Sequence, residues 1–398
     1  MANRQAKLFE AFQIGPKILR NRMAVAPMTR VSGEEDGTVG RLMQDYYEKF
    51  AEGGFGLIVT EGLYTDEYYS QGYYKQPGIT TGVHGKSWMP VVQKVHDKGA
   101  IFIAQLMHAG SLSQFNSHKD HSAGPSAVRP KGEQMPFYYG KGQYNVPVAM
   151  SQQDIDDAIS GFVQAAEFAE SAGFDGVEIH GANGYLLDQF LTEYSNQRSD
   201  RYGGDIAARL RIYQEVIEAV RQAVSNDFIV GVRFSQKKVN DTDHIWPEVE
   251  MAAEKAFGLM SECHVDYIHT TEPVLNAPAF GRSASLAALA KKYSGLPVIA
   301  NGGVTEPDLA LSVIERREAD VIALGRTALA NPDWPTAVKN DAPLKDFDYA
   351  ILAPIANLES AQKYADSTKT GAEVAPSKSG HRIHCAGAKD HRVAPFVT

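Results

Sequence analysis

A (β/α)8 barrel is the fold this sequence predicts, with a long excursion after the third strand and an extended C-terminal tail. Three observations predict it. Eight short apolar runs recur along the 398 residues, longer stretches with apolar residues every three to four positions lie between most of them, and no GxGxxG follows any run. Alternating strand and helix implies parallel neighbours, because a parallel pair needs a crossover. Eight such units point to a closed barrel rather than an open doubly wound sheet, which would also be expected to carry the dinucleotide fingerprint.

The strands read, in order, "MAVA" (23–26), "GLIVT" (56–60), "AIFIAQL" (100–106), "FDGVEIH" (174–180), "FIVGVRF" (228–234), "VDYIHTT" from 265, "PVIAN" (297–301) and "DVIAL" (320–324). Helical periodicity fills 41–53, 86–98, 152–172, 205–224, 248–263 and 306–317. The third of these carries its own end signals: Ser151 as N-cap with Asp154 nearby, and Gly173 as the stop. Ahead of the first strand, "ILRNRMAVAPM" is expected to supply a hairpin under the barrel floor. Residues 109–150 are rich in Gly, Pro and Tyr, and a loop that long is read as a lid or capping hairpin over the catalytic face. The expected organisation is a barrel over 1–345 and a C-terminal extension over 346–398. Its end, 366–398, is small, polar and Pro-dotted, which suggests an extended tail packing on a neighbouring subunit.

With 43% hydrophobic and 22% charged residues, the composition is that of a globular protein with a large core. A net charge of -9 argues against a nucleic-acid or anionic-membrane surface. No apolar run approaches twenty residues, so no membrane span is expected, and "MANRQAKLFEAFQIG" lacks the apolar stretch of a signal peptide. The two cysteines, Cys263 and Cys385, are too few for a disulfide framework or a Cys-ligated iron–sulfur cluster. A cytoplasmic location is expected. His381, His384, Cys385 and His391 only faintly resemble a metal set, and no metal site is assigned.

A barrel of this kind keeps its active site at the C-terminal mouth of the strands. Here the strand ends deliver Pro27-Met28-Thr29, Glu61-Gly62, Gln105 with His108, His180 with Asn183 and Tyr185, Arg233, Thr270-Thr271, Asn301-Gly302-Gly303 and Gly325-Arg326. The last two sets lie where barrels commonly hold a phosphate, with Gly allowing close backbone approach and Arg326 supplying charge. Gln105 and Arg233 suit the pyrimidine edge of a flavin, though a strand-end salt bridge or a core-lining amide is an equal reading for each taken singly. In "EIHGANGY" (178–185), His180 and Asn183 can aim two donors at one substrate oxygen, and Tyr185 can give a proton. Taken singly they also fit a satisfied strand-end histidine, a turn former and a helix-face aromatic.

One long segment, "GFDGVEIHGANGYLLDQFLTEYSNQRSDRYGG" (173–204), is joined in order by "NRMAVAPMTR", "QLMHAG", "VRFS", "NGGV" and "ALGRTALANPDW". Together they resemble the Old Yellow Enzyme group of FMN-dependent ene-reductases over roughly residues 8–340. The resemblance implies that Pro27, Met28 and Thr29 lie along the isoalloxazine, that Gly62 and Gln105 contact the ring, and that Arg233 faces its pyrimidine edge. It implies a phosphate held by Gly302, Gly303, Gly325 and Arg326, a substrate oxygen gripped by His180 and Asn183, Tyr185 as proton donor, and Tyr73 lining the substrate side. Non-covalent FMN, with NADPH or NADH as transient hydride donor, is the implied cofactor set. The implied partner is a small α,β-unsaturated molecule, with no nucleic acid or membrane; homo-oligomerisation is left open. Departures are "HAGS" at 108–111, Thr192-Glu193, and a segment after strand eight without the group's Tyr-Gly; all three bear on substrate range. The rival class is a flavin-free barrel lyase or isomerase acting on a phosphorylated substrate.

Overall fold

A computed structural model describes residues 4–370. Eight parallel strands form the barrel: β1 (Met23–Val25), β2 (Leu57–Val59), β3 (Ile101–Met107), β4 (Gly176–His180), β5 (Ile229–Phe234), β6 (Tyr267–Thr271), β7 (Val298–Asn301) and β8 (Val321–Leu324). Each pairs with its sequence neighbours, β8 returns to β1, and the pairing of β2 with β3 at Leu57 and Ile101 completes the ring. Helices α1 (Arg41–Glu52), α2 (Gly82–Asp97), α3 (Gln152–Ala172), α4 (Ile206–Ala223), α5 (Glu250–Glu262), α6 (Leu286–Ser294) and α7 (Pro307–Glu315) make the crossovers. The capping box at Ser151 forms, with the Asp154 amide donating to the Ser151 hydroxyl at 3.2 Å, and Gly173 ends α3 at φ 92°.

Three local expectations are corrected. The sequence pattern gave no helix between strands six and seven, yet α6 forms; nine residues are too few for a clear period, and its signals are local, the Ser285 cap and Gly295 at φ 68°. The expected floor hairpin forms but is shifted towards the N-terminus, pairing Phe12–Ile14 with Lys17–Leu19 and so sharing only Ile18 and Leu19 with the expected segment, while 23–25 belong to the barrel. And the expected tail does not begin at 366: Leu358–Thr370 is a helix. Residues 371–398, with the metal-like His381, His384, Cys385 and His391, lie outside the described residues. Among the described residues no helix is long and apolar enough to cross a membrane, and no group of three His, Cys, Asp or Glu could hold a metal.

Alternation along each strand sends every second side chain into the barrel. The lower interior is aliphatic: Ala24, Leu57, Val59, Ile103, Ile229, Ile299 and Val321 pack with Ile14 and Leu19 of the hairpin, which closes the floor. Above it the chemistry changes. Register places Gln105, Glu178, Gly231 and Tyr267 side by side on β3, β4, β5 and β6. A Cβ at Gly231 would overlap the Tyr267 ring, so glycine there is what lets that tyrosine reach across β5. A second core between strands and helices includes Trp88, Phe102 and Phe174, with the two phenylalanine rings 4.8 Å apart.

Beyond the barrel the chain returns to the mouth. Arg30, in the loop that follows β1, donates to the carbonyls of Ala356 (3.0 Å) and Asn357 (3.2 Å), and the Ala356 amide donates to the Phe137 carbonyl of the excursion at 2.9 Å. That loop, the excursion and the C-terminal segment are thus tied at one edge.

Gly231→Ala should cost about 1–3 kcal/mol, because the ring of Tyr267 has no free volume to retreat into. Urea unfolding monitored by circular dichroism reads this; an unchanged midpoint would show that Tyr267 does not depend on the gap.

Candidate active site

The turn after β4 is built by anchors on three sides. Tyr213 of α4 donates its hydroxyl to the Gly181 carbonyl at 2.6 Å. Ser235, past the end of β5, accepts the Asn183 amide at 2.8 Å, and the Asn183 carbonyl accepts from Val239 at 3.1 Å. Asp188 accepts the Gly184 amide at 2.7 Å and is itself ion-paired with the buried Lys238. Held this way, Asn183 adopts φ 62°, a left-handed conformation that Asn tolerates better than most residues.

This turn delivers three side chains to one small cavity, whose other walls include Pro27, Thr29, Gly62, Gln105 and Arg233. The Ala182 amide reaches His180 Nδ1 at 3.3 Å, which as an acceptor leaves the ring proton on Nε2. Burial, then the nearby Arg233 charge, push the imidazole well below its ordinary pKa, so it is a neutral donor at pH 7. Asn183 is more telling. Both its side-chain Nδ2 and Oδ1 are buried without a hydrogen-bond partner among the described residues, a costly state that a ligand oxygen would relieve. Tyr185 packs edge-on to His180 with ring centroids 4.9 Å apart, and its hydroxyl lies 2.6 Å from that of Tyr73. Burial pushes the Tyr185 phenol up to about 12, so it stays protonated through the physiological range.

Opposite stands Arg233. Its Nη2 donates to Asn301 Oδ1 at 3.2 Å, an oxygen also held by the Thr271 hydroxyl at 2.9 Å, while its Nε is buried and unpaired. Burial lowers its pKa to about 10, which still leaves it charged at neutral pH. Gln105 is oriented from below, its Nε2 donating to Glu178 at 2.8 Å. Around the ends of β7 and β8 a second cavity of about 440 Å³ opens, lined by Gly302, Gly303, Gly325, Arg326, Lys345 and Tyr349 among others. Gly302 sits at φ 149°, and a Cβ there would strike the Glu272 carbonyl. Arg326 donates to the Tyr349 hydroxyl at 2.6 Å. A glycine-lined cavity that carries Arg326 and Lys345, with Glu272, Glu306 and Asp346 also on its wall, and a neighbouring wall with Arg233, Gln105 and Thr29 fit FMN, a phosphate against the glycines and Arg326 at one end and a polar ring edge at the other.

Not every expected residue reaches the cavity. Met28 is buried in the main core and is not among the lining side chains. Tyr73, expected to line the substrate side, is fully buried behind Tyr185 and meets the site through that hydroxyl. His108 turns outward, with Nε2 3.6 Å from Asp66. Other residues were overlooked. Met135 and Tyr138, from the excursion, form part of the wall, but nothing in its irregular sequence singles them out. Glu178 and His269 were legible in principle: each lies two residues before a mouth residue, so alternation points it inward.

The chain matches the model of the NADH:flavin oxidoreductase / NADH oxidase family over residues 7–345. It is similar to the NADH oxidase of Thermoanaerobacter brockii, 31% identical over 83% of this chain, although it spans only 50% of that protein. It is 34% identical to a probable flavin mononucleotide-dependent alkene reductase of Leishmania infantum, covering 85% of this chain and 92% of that one. Among solved structures, the old yellow enzyme homologue from Zymomonas mobilis superposes with a TM-score of 0.80 at 28% identity, covering 89% of this chain and 99% of the other. Family match, sequence relatives and shared fold agree: the chain belongs to the NADH:flavin oxidoreductase family in its Old Yellow Enzyme group, FMN-dependent enzymes that draw hydride from a nicotinamide.

Proposed function

We propose that the protein is an ene-reductase that saturates the activated carbon–carbon double bond of small enones, enals, nitroalkenes or maleimide-like compounds, with nitro compounds and nitrate esters as further acceptors. The observation that carries this reading is the unpaired, buried amide of Asn183 beside the neutral donor His180 and the protonated phenol of Tyr185. Bound between the strand-end glycines with Arg326 and the wall with Gln105 and Arg233, FMN would supply hydride transfer from NADPH or NADH to the β-carbon of the alkene.

The remaining chemistry belongs to the chain. His180 Nε2–H and Asn183 Nδ2–H donate to the carbonyl or nitro oxygen, drawing electron density off the double bond in a site shielded from water. Tyr185 then donates its hydroxyl proton to the α-carbon, and Tyr73, 2.6 Å away, is placed to share the proton that restores it. Arg233 would stabilise negative charge at the ring's polar edge with Gln105 beside it, Pro27, Thr29 and Gly62 would form the ring's bed with Met28 backing them from the core, and Gly302, Gly303, Gly325 and Arg326 would hold the phosphate. We assign residues 1–345 as the catalytic barrel and 346–398 as an extension.

Tyr185→Phe should leave flavin reduction by NADPH intact and slow cyclic-enone turnover on the order of 10²-fold, the low end for a general acid. Stopped-flow measurement of the two half-reactions separates these steps; unchanged enone turnover would remove Tyr185 from the role. Arg326→Ala removes one charge-assisted contact and should weaken FMN retention roughly ten- to a hundredfold. Spectra taken after dialysis check this. A wild-type protein that is colourless and takes up no added FMN would favour the flavin-free lyase or isomerase.

A further inference from the structure

Glu178 plays no part in the steps above, yet it is a fully buried carboxylate two residues before His180, on the inward side of β4. Both of its oxygens are engaged. Oε1 accepts Gln105 Nε2 at 2.8 Å; Oε2 accepts the Tyr267 hydroxyl at 2.9 Å and His269 Nδ1 at 2.8 Å. A buried ion of this kind costs several kcal/mol to desolvate, and the aliphatic layer beneath shows that the barrel packs without one.

Two consequences follow from the geometry. Gln105 gives one N–H to the carboxylate, which fixes its amide so that Oε1 cannot exchange places with Nε2. Arg233, one step nearer the mouth on β5 than Gly231, the register partner of Glu178, has a counter-charge just below it. Burial alone would push the Glu178 carboxyl up, but the donors His269 and Gln105 and the charge of Arg233 overcome this and hold it below the ordinary carboxylate range, so it is ionised at pH 7. Burial, opposed by that carboxylate, keeps His269 below its ordinary pKa, so it donates as a neutral ring.

Resting on the FMN reading above, we propose that Glu178 is a positioning residue that sets the reduction potential of the bound flavin, by locking the Gln105 amide and by offsetting the charge of Arg233 from one barrel layer beneath. Reduction adds negative charge to the ring. A carboxylate below Arg233 therefore opposes reduction, and weakening its field favours it.

The test is the midpoint potential of the holoenzyme by dye-coupled titration. Glu178→Gln leaves the Arg233 charge unopposed and should raise the potential by at least a tenfold change in the reduced-to-oxidised ratio, about 30 mV for a two-electron couple. Flavin reduction by NADPH should quicken and reoxidation by an enone should slow. Tyr267→Phe strips one donor from the carboxylate without changing any charge, which concentrates the negative field, and should move the potential downward. Opposite shifts support the proposal; no shift in either variant, or shifts of the same sign, overturn it. Should Glu178→Gln fail to fold, the sign in Tyr267→Phe decides alone. If the ene-reductase reading itself were wrong, wild type would fail to bind flavin or to be reoxidised by enones; a normal wild type with unshifted variants fails this inference only.

Discussion

Everything in this molecule depends on the closing of the parallel sheet, where β2 meets β3 at Leu57 and Ile101. Closure gives each strand an inside, and a side-chain period of two then decides which residues share it. Low in the barrel that interior is aliphatic and sealed by Ile14 and Leu19 of the hairpin. One layer up it holds Gln105, Glu178 and Tyr267, and higher still Arg233, His180 and Asn301. Buried polar groups are tolerable only when bonded, so the upper layers form a connected set in which each residue orients the next. Among the described residues three members of this set keep buried atoms without a partner: Arg233 at Nε and Asn183 at its amide, both of which line the cavity, and His269 at Nε2, which does not.

Burial then sorts the protonation states. The same low-dielectric surroundings drive His180 neutral, keep Tyr185 protonated to about 12, and leave Arg233 charged with a pKa near 10. Glu178 goes the other way, because its surroundings supply donors on both oxygens. A neutral donor, a protonated acid and a persistent cation coexist at pH 7 without any exceptional contact. They differ in whether their neighbours favour the charged form.

Much of this was legible in the residue order. All eight barrel strands follow from apolar runs, and the mouth residues follow from where those runs stop. Asn183 and Tyr185 could be placed beside His180 because the intervening Gly181, Ala182 and Gly184 leave the chain free to turn. What escaped has physical reasons. Helix α6 is too short for a period, and the hairpin only overlaps the start of the expected segment, because the rest of that segment runs into the first barrel strand. Tyr73 is one layer further back than the resemblance implies, since only three dimensions distinguish lining a cavity from backing a residue that lines it. Glu178 lies one alternation step beneath His180, and its role depends on partners from β3 and β6 that only the closed sheet brings to it.

The departures from the group's usual residues fall unevenly on this frame. Ser111 gives its amide to Gln189 at 2.9 Å, Thr192 bonds back to the Asp188 carbonyl at 2.7 Å, and Glu193 pairs with Arg209 at 3.2 Å. None of the three lines the cavity that holds His180, Asn183 and Tyr185; they brace the turn from behind. The excursion differs. Met135 and Tyr138 do form part of the wall, and Gln114 fixes them by accepting the Met135 amide at 2.6 Å while its own amide donates to the Met135 carbonyl at 3.3 Å. The Phe137 carbonyl is held in turn by Ala356, and Ala356 by Arg30 in the loop that follows β1. The wall that Met135 and Tyr138 contribute is thus braced from the loop after the barrel's first strand, through the segment that follows its last. The shape of that wall therefore depends on a three-way brace, in which the C-terminal segment holds the carbonyl of Phe137, next to Tyr138.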